Sequence, residues 1–424
     1  MIANNASRLG KNLWTEGVEG EPIKVYSAYN ERDEADFVIA RLRDWIDQGN
    51  LRADAAILYR SNAQSRVLEE GLINAGIPYR VYGGLRFFER MEIKDALAYL
   101  RLIAHRDDDS AFERVVNKPT RGIGARTLDM MRSYARANAC PMWRAAGAIA
   151  SDDLNGRAAN AVAAFMSLIE RLDRETRGLD LHDQVDHVIY QSGLIDFFKK
   201  DRGEKGETRV ENLEELVSAA KSFTPDPANE MSPLDEFLSH AALEAGEGQA
   251  DAWEDCVQLM TMHSAKGLEF PLVFMSGMED GLFPHQRSIS DPGGLEEERR
   301  LCYVGITRAM QTLYITYAEQ RRLHGMDSFS QQSRFVSEIP DEYVEEVRPR
   351  VQVSRPMHSS PRQKSASMTP GNDIGVRLGQ RVHHKKFGDG VILNCEGQGA
   401  HARVEVNFET SGTKWLVLSY ANLE

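Results

Sequence analysis

The sequence predicts an α/β protein in which a parallel sheet is interrupted by a large all-helical insertion and followed by a small β-barrel. Three observations predict this class: short apolar strand patterns near the start, a long middle stretch of helical period, and strand patterns that return after it. Because strands that alternate with helices need neighbours in a sheet, the early and late strands are expected to share one sheet.

The early strand patterns lie at residues 23–29 and 55–59, and the segment between them has apolar residues at helical spacing and a glycine stop. This β-α-β pattern is typical of a parallel sheet. Almost every segment from Glu92 to about Leu243 then has a helical period. Strand patterns return at 257–263, 272–278 and 312–318.

The expected organisation is one domain inserted into another; three consecutive domains are the alternative. The predicted boundaries are 1–83 and 255–347 for the discontinuous α/β domain, 84–254 for the helical insertion, 348–377 for a linker and 378–424 for the barrel. The linker is rich in Pro, Ser and Arg, and residues 348–386 carry nine basic side chains against Asp373 alone. Trp415 in the tail is either a core filler or a contact for a partner.

Composition limits the function classes. The net charge of -13 argues against a general nucleic-acid coat protein but allows a locally basic groove. The four cysteines are scattered without a CxxC pair, so a disulfide framework or zinc site is not expected. No apolar run approaches the length of a membrane span, and a cytoplasmic location is expected.

No phosphate-binding loop of the form GxxxxGK[ST] occurs in these 424 residues; the one Gly-Lys pair, Gly10-Lys11, is followed by Asn12. Such a loop cradles the phosphates of ATP with its backbone N–H groups. Glu279-Asp280 follows a strand pattern like a magnesium-binding acid, but without the loop we interpret it as a solvated strand end. The chain alone is therefore not expected to hydrolyse ATP.

Two motifs carry the chemical signal: residues 261–270 (TMHSAKGLEF), and residues 295–317, which run from an acidic helix start through Thr307-Arg308-Ala309 into a strand. An arginine at such a helix-to-strand edge can reach a nucleotide held by another domain, as arginine fingers do. The alternative is that Arg308 pairs with Glu296–Glu298 on its own helix.

These motifs, with ILYRSNAQSR at 57–66, YGGLRFFERMEIKDALAYLRL at 82–102, NKPTRGIG at 117–124 and HAALEAGEGQAD at 240–251, resemble the superfamily 1A DNA helicases along essentially the whole chain. The resemblance implies a RecA-like motor domain, its helical insertion and an SH3/Tudor-like barrel. The family's ATP-binding loop, magnesium-binding acid and Asn-Tyr-Arg-Ser motif would all precede Met1. The chain would then be the C-terminal half of an ATP-dependent 3′–5′ DNA helicase that acts in repair.

The resemblance assigns nucleotide contacts to the two motifs. It implies that Gly267 and Glu269 contact ATP, with Glu269 bonding the ribose, and that Arg308 is the catalytic arginine that reaches the γ-phosphate. ATP and Mg²⁺ would be held mostly by the missing N-terminal motor domain, and none is expected to bind to this chain alone. No protein metal site is expected. Lys266 could pair with an acid or contact DNA.

Single-stranded DNA contacts are implied for two sets of residues that follow predicted strands. Thr261 and His263 offer a hydroxyl and an imidazole, which suit phosphate contact without base reading. Arg60, Ser61 and Asn62 follow another strand, where α/β sheets place their ligands. The alternative for this second set is a polar loop in which Ser61 or Asn62 caps a helix.

Duplex contacts are implied for a Gly-x-Gly turn between two helical segments, where backbone N–H groups could approach a phosphate. The residues concerned are Lys118, Thr120, Arg121, Gly122 and Gly124. A bare turn is the alternative. A predicted hairpin with His324 at its tip would be the pin that separates base pairs, where relatives carry a tyrosine.

The implied partners are single-stranded and forked duplex DNA, the N-terminal motor domain, RNA polymerase docked on the barrel, and nucleotide-excision or mismatch repair proteins. Two other classes stay open. One is a non-enzymatic module that binds DNA and proteins through the linker and barrel. The other is a recombination nuclease arm, although the tail lacks a carboxylate–lysine cluster for metal-assisted cleavage.

Overall fold

The computed structural model describes residues 1–5, 20–152, 156–201, 203–246, 254–323, 326–348, 381–396, 403–408 and 412–417. They belong to two compact units, Met1–Val351 and Gln352–Glu424. Each unit has its own sheet and its own hydrophobic core.

The first unit is built on a seven-stranded sheet in which every neighbouring pair of strands is parallel. The strands of this unit are β1 Ile23–Ala28, β2 Ala55–Tyr59, β3 Tyr79–Val81, β4 Val257–Thr261, β5 Phe270–Met275, β6 Ala309–Ala318, β7 Gln320–Leu323, β8 Met326–Phe329 and β9 Val344–Glu346. The sheet order is β3-β4-β2-β5-β6-β1-β9, while β7 and β8 form a separate antiparallel hairpin. The predicted α/β class is confirmed, because early and late strands share one sheet.

The strand predicted at 23–29 ends one residue early, at Ala28, and two other predicted strands extend further past their observed C-terminal ends. The strand predicted at 257–263 ends at Thr261, because the N–H groups of Ser264 and Ala265 turn back to the Thr261 carbonyl. The strand predicted at 272–278 ends at Met275, where the chain leaves the sheet. Both errors arise because apolar residues in a turn continue the pattern of the strand before it.

Helices account for most of the remaining chain. They are α1 Glu31–Asp47, α2 Ser65–Asn74, α3 Met91–Ala104, α4 Asp109–Val115, α5 Ala125–Asn138, α6 Met142–Asp152, α7 Arg157–Thr176, α8 Leu181–Gln191, α9 Leu194–Lys199, α10 Glu204–Ser222, α11 Pro233–Gly246, α12 Gln286–Ser290 and α13 Gly294–Ile306. Helix α1 begins where the Asn30 side chain accepts bonds from the N–H groups of Arg32 and Asp33. Among the described residues, none of the helices has the length and apolar character needed to span a membrane.

Helices cover both faces of the sheet. Alternation along β2 sends Ile57 to one face and Leu58 to the other, and both side chains are fully buried. The face of Ile57 packs against α1 and α2, and the face of Leu58 packs against α13. Burial on both faces explains why the strands read as continuous apolar runs.

The helical segments have a separate core of their own. Its buried residues run from Phe87 to Ala241 and include four fully buried phenylalanines: Phe112, Phe165, Phe198 and Phe237. Residues 1–351 nevertheless form a single compact unit by their contacts. The division of this unit at 83/84 and 254/255 stays a prediction.

A buried charge cluster joins the base of the β7–β8 hairpin to the sheet. The Arg321 guanidinium donates to Glu279 (Nε to Oε2, 2.9 Å) and to Glu34, and all three side chains are nearly inaccessible. Glu34 also accepts from the Gly277 N–H at 2.8 Å, and Glu279 accepts from the Ala318 N–H at 2.8 Å. The expectation that Glu279 ends a strand in solvent was therefore wrong: it is a buried partner of Arg321.

The second unit contains a four-stranded antiparallel sheet among its described residues. The strands, in sheet order, are β10 Arg381–His384, β11 Gly388–Glu396, β12 Arg403–Phe408 and β13 Gly412–Val417. Val404, Val406 and Phe408 alternate along β12 and form its core, with Phe387 packed against them. The side chain of Trp415, the barrel's closure and most of the predicted linker lie outside the described residues.

We predict that Arg321→Ala lowers the free energy of unfolding by about 3–5 kcal/mol, because it leaves two buried carboxylates without their cation. Urea denaturation of the full chain measures the loss. Arg334→Ala is the matched control: Arg334 pairs with Asp280 at 2.9 Å but is 41% exposed, so its loss should cost less than about 1 kcal/mol. Equal losses in the two variants would show that burial of the cluster is unimportant.

Candidate nucleotide and nucleic-acid interface

The parallel sheet brings the predicted single-strand residues to one edge. Strands β2 and β4 are neighbours with Tyr59 opposite Thr261, and the Met262 N–H donates to the Tyr59 carbonyl at 2.9 Å. Arg60–Asn62 and Thr261–His263 therefore follow adjacent strand ends. This is the edge at which parallel sheets bind ligands.

The turn after β4 is held by its own bonds and presents side chains outward. The hydroxyls of Thr261 and Ser264 lie 3.0 Å apart, and Gly267 has φ +88°, which a side chain would disfavour. His263 and Lys266 are exposed. Within the described part of the chain Lys266 has no acid partner, so the alternative of an ion pair is not observed.

Glu269 and Arg308 lie side by side. The Arg308 Nη1 donates to the Leu268 carbonyl at 2.7 Å, and the Phe270 N–H donates to the Arg308 carbonyl at 2.9 Å. Glu269, between those two contacts, is exposed and has no hydrogen-bond partner among the residues described. An acceptor carboxylate and a guanidinium thus lie together where β5 and β6 begin, at the edge of the sheet opposite to the ends of β2 and β4.

Arg308 is oriented by neutral acceptors. Its Nε donates to the Val304 carbonyl at 2.9 Å and its Nη2 to the Thr307 hydroxyl at 3.0 Å. In the described chain it makes no ion pair, so the predicted alternative of pairing with Glu296–Glu298 is not observed. The side chain is half-buried, and its positive charge is not neutralised by a carboxylate.

Arg60, by contrast, is held by an acid. Its Nε and Nη2 donate to both oxygens of Glu298 on α13, at 2.8–3.1 Å. Burial alone would raise the pKa of Glu298, but the bonds from Arg60, with those from the His285 N–H and Ser288, hold that pKa below its ordinary value. The pair joins the loop after β2 to α13, the helix that ends two residues before Arg308.

Ser61 and Asn62 are also engaged within the protein. The Ser61 hydroxyl donates to Glu211 Oε2 at 2.5 Å, and its side chain caps the short helical turn that starts at Asn62. The Asn62 carbonyl accepts from Arg90 Nη1 at 2.9 Å. The predicted capping alternative is thus observed for Ser61.

An acidic row on α10 faces this loop, and sequence reasoning missed it. Glu207 pairs with Arg287 at 3.0 Å, Glu211 with His285 at 3.5 Å, and Glu215 with Arg66 at 2.6 Å. The i, i+4, i+8 spacing of the three glutamates was a visible signal of one helix face. Their basic partners are distant in sequence and could not be identified from it.

The predicted duplex-binding turn has two kinds of residue. Lys118 pairs with buried Asp95 at 2.6 Å. The Arg121 guanidinium donates to the carbonyls of Val115, Pro119 and Ser192 and to the Tyr99 hydroxyl. Thr120, Gly122 and Gly124 are exposed, and within the described part of the chain neither the Thr120 hydroxyl nor the three N–H groups have a hydrogen-bond partner.

The turn itself is fixed by Asn117, whose Oδ1 accepts from the N–H groups of Arg121 (2.8 Å) and Ile123 (3.3 Å). Those two N–H groups are therefore already bonded, contrary to the expectation of an open backbone throughout the turn. Gly122 has φ +82°, which explains a glycine there. The predicted pin residue, His324, lies outside the described residues.

We predict that Arg60→Ala lowers the free energy of unfolding by about 3 kcal/mol at neutral pH, since it leaves the Glu298 carboxylate buried and unpaired. The pKa of Glu298 is depressed in the folded chain, so this contribution is present above pH 4.5 and is lost as the pH falls through the lowered pKa. Urea denaturation of parent and variant from pH 7 to pH 3 measures it. A difference that stays constant across that range would contradict the assigned ion pair.

Two family models match the chain. Residues 1–320 match the UvrD-like helicase C-terminal domain, and residues 378–424 match the PcrA/UvrD tudor domain. These matches agree with the sheet-based first unit and the small antiparallel sheet of the second unit.

Curated relatives align along the whole chain. It is 58% identical over 426 residues to DNA helicase II of Salmonella typhimurium and to that of Escherichia coli K12, and 38% identical over 447 residues to the ATP-dependent DNA helicase PcrA of Bacillus subtilis. In each case all of this chain is covered, and it spans about 59% of the relative's length. The chain therefore belongs to the UvrD/PcrA DNA helicase II family, of which it carries the C-terminal helicase domain and the tudor domain.

Proposed function

We propose that this chain is the DNA-engaging part of an ATP-dependent 3′–5′ DNA helicase and that it completes an ATP site formed with a preceding motor domain. The observation that carries the proposal is the adjacency of Glu269 and Arg308, which directly precede the neighbouring parallel strands β5 and β6. One side chain can accept hydrogen bonds and the other can donate them to an anion. The names of the relatives support ATP-driven work on DNA.

The available groups fit the outer parts of a nucleotide. The exposed Glu269 carboxylate would accept a hydroxyl bond from the ribose, and Arg308 would donate to the γ-phosphate. Charge builds on the phosphoryl oxygens during transfer, so a positioned guanidinium stabilises the transition state more than the ground state. No loop for the β-phosphate or for Mg²⁺ occurs in the sequence, so the preceding motor domain would supply those contacts.

The DNA contacts are proposed for two faces. Thr261, His263 and Lys266 would contact the phosphates of a single strand at the sheet edge. Thr120 with the backbone of Gly122 and Gly124 would contact the duplex, while Lys118 and Arg121 shape that turn from behind. Arg60, Ser61 and Asn62 would line the single-strand path in a loop that Glu298 and Glu211 hold in place.

Other parts of the proposal rest on family membership. They are the function in DNA repair, the docking of RNA polymerase on the tudor domain, and contacts with nucleotide-excision or mismatch repair proteins. The role of His324 in separating base pairs also rests on family membership alone. Each stays a proposal.

For ATP hydrolysis we predict no turnover by the purified chain, with or without single-stranded DNA. In enzyme reconstituted with the preceding motor domain, Arg308→Ala should lower kcat about 10³-fold or more, with DNA affinity nearly unchanged. Arg300→Ala is the matched control, since Arg300 lies on α13, is 41% exposed and pairs with Glu296 and Glu297 of its own helix. Turnover by the chain alone that survives Arg308→Ala would refute the assigned role.

For DNA binding we predict that Lys266→Ala lowers the salt dependence of single-strand affinity. Each lost phosphate contact should reduce the slope of log affinity against log salt by about 0.7. The slope is measured by fluorescence anisotropy of a labelled oligonucleotide, titrated at salt concentrations from about 50 to about 200 mM. Lys199→Ala, an exposed lysine at the end of α9, is the control and should leave the slope unchanged.

The proposed duplex contacts of Thr120, Gly122 and Gly124 are tested in the same titrations with the Thr120→Asp variant. A carboxylate in that exposed turn would repel a phosphate, so affinity for a forked duplex should fall about tenfold while single-strand affinity stays the same. An equal loss on both substrates would show that the two faces do not divide the DNA as proposed.

A further inference from the structure

Tyr82 is an exposed aromatic residue at the sheet edge to which no function has been assigned. It follows β3 directly, and its N–H donates to the Leu259 carbonyl of β4 at 2.8 Å. The side chain is 46% exposed, and the described residues offer its hydroxyl no hydrogen-bond partner. An amphipathic ring left uncovered in this way can stack on a flat ligand.

The position of Tyr82 is tied to the turn that carries the proposed phosphate contacts. At the next residue, Gly83, a Cβ would lie 3.8 Å from the Ser264 Oγ, within ordinary contact distance. Ser264 is bonded in turn to Thr261 and is adjacent to His263. The aromatic ring and the polar turn therefore belong to one continuous surface at the ends of β3 and β4.

The segment that bears Tyr82 is anchored at both ends. Before it, Val81 pairs with Leu259 in the sheet. After it, Phe87 is buried and its N–H donates to Glu69 Oε2 at 3.1 Å. Between Val81 and Phe87, all of it described, Leu85 is the one other large apolar side chain that is exposed. A platform held at both ends loses little conformational freedom when a ligand stacks on it.

Other exposed tyrosines differ in surroundings. Tyr29, also at a strand end, is covered by the Arg348 guanidinium at 3.5 Å from its ring centroid. Tyr343 is 58% exposed but precedes β9, so it lies at the opposite edge of the parallel sheet. Tyr82 is exposed, its hydroxyl has no hydrogen-bond partner among the described residues, and it lies at the edge that holds Thr261, His263 and Lys266.

We propose that Tyr82 is a stacking platform for a nucleobase of single-stranded DNA whose backbone contacts the turn after β4. Every base has a π-face, so stacking would add affinity without sequence preference, and it would complement the phosphate contacts. This inference rests on the proposed single-strand function and names a base-binding subsite within it. A protein side chain as the ligand is the competing occupant.

The test compares two labelled 16-nucleotide probes, oligo(dT) and a strand of the same length made only of abasic residues, on the full chain at low salt. Tyr82→Ala should weaken oligo(dT) roughly 5- to 100-fold, from the value of one stacked base, and leave the abasic strand within about twofold. Tyr82→Phe should behave as the parent because it keeps the ring. Tyr343→Ala is the matched control and should change neither affinity.

Each outcome is decisive. Unchanged oligo(dT) affinity in Tyr82→Ala, or equal loss on both probes, overturns the platform and favours a protein partner or a structural role for the ring. His263→Ala distinguishes failure of the single-strand function from failure of the base-binding subsite. If His263→Ala weakens binding of both probes while Tyr82→Ala weakens neither, the single-strand function is supported and the base-binding subsite is not. If the parent binds neither probe, the proposed function fails and the platform with it. Tyr82→Leu replaces the alanine variant if thermal melting shows that the latter is unfolded.

Discussion

Parallel pairing of all seven strands is the constraint on which the site depends. The C-terminal ends of parallel strands all lie at one edge of the sheet. Strand pairing alone therefore brings together loops that are far apart in sequence. Residues after β2, β3 and β4 become neighbours, although nearly 200 residues separate β2 from β4. The long helical stretch is tolerated because it leaves the sheet after β3 and returns at β4, two adjacent strands.

This geometry explains how much could be predicted from the sequence. Apolar period and strand alternation were enough for the fold class and for the shared sheet, and they placed Arg60–Asn62 and Thr261–His263 after predicted strands. That these two strands are neighbours was visible only in the structure. Burial of polar groups was not visible in the same patterns. Glu279 follows a strand and reads as solvated, yet it is fully buried because Arg321, 42 residues later, supplies a cation that no local signal announces.

The same limit applies to the basic residues of the candidate site. A sequence gives the number of arginines but not their acids, so Arg60 and Arg121 looked equally available for DNA. Glu298, the partner of Arg60, and the Ser192 carbonyl, one partner of Arg121, come from other elements of the fold. Glu207, Glu211 and Glu215 show why: their spacing on α10 is visible in the sequence, but their partners Arg287, His285 and Arg66 come from two other parts of the chain.

The type of acceptor distinguishes the arginines from one another. Arg60 and Arg321 are bonded to carboxylates, which neutralise their charge and leave little attraction for a further anion. Arg308 is oriented by two carbonyls and a hydroxyl, which fix the guanidinium without neutralising it. An arginine held in this way loses little conformational entropy when it binds an anion, and it keeps its full charge for a phosphate. The surroundings of Arg308 are thus compatible with the arginine-finger role proposed for it, and those of Arg60 are those of a structural ion pair.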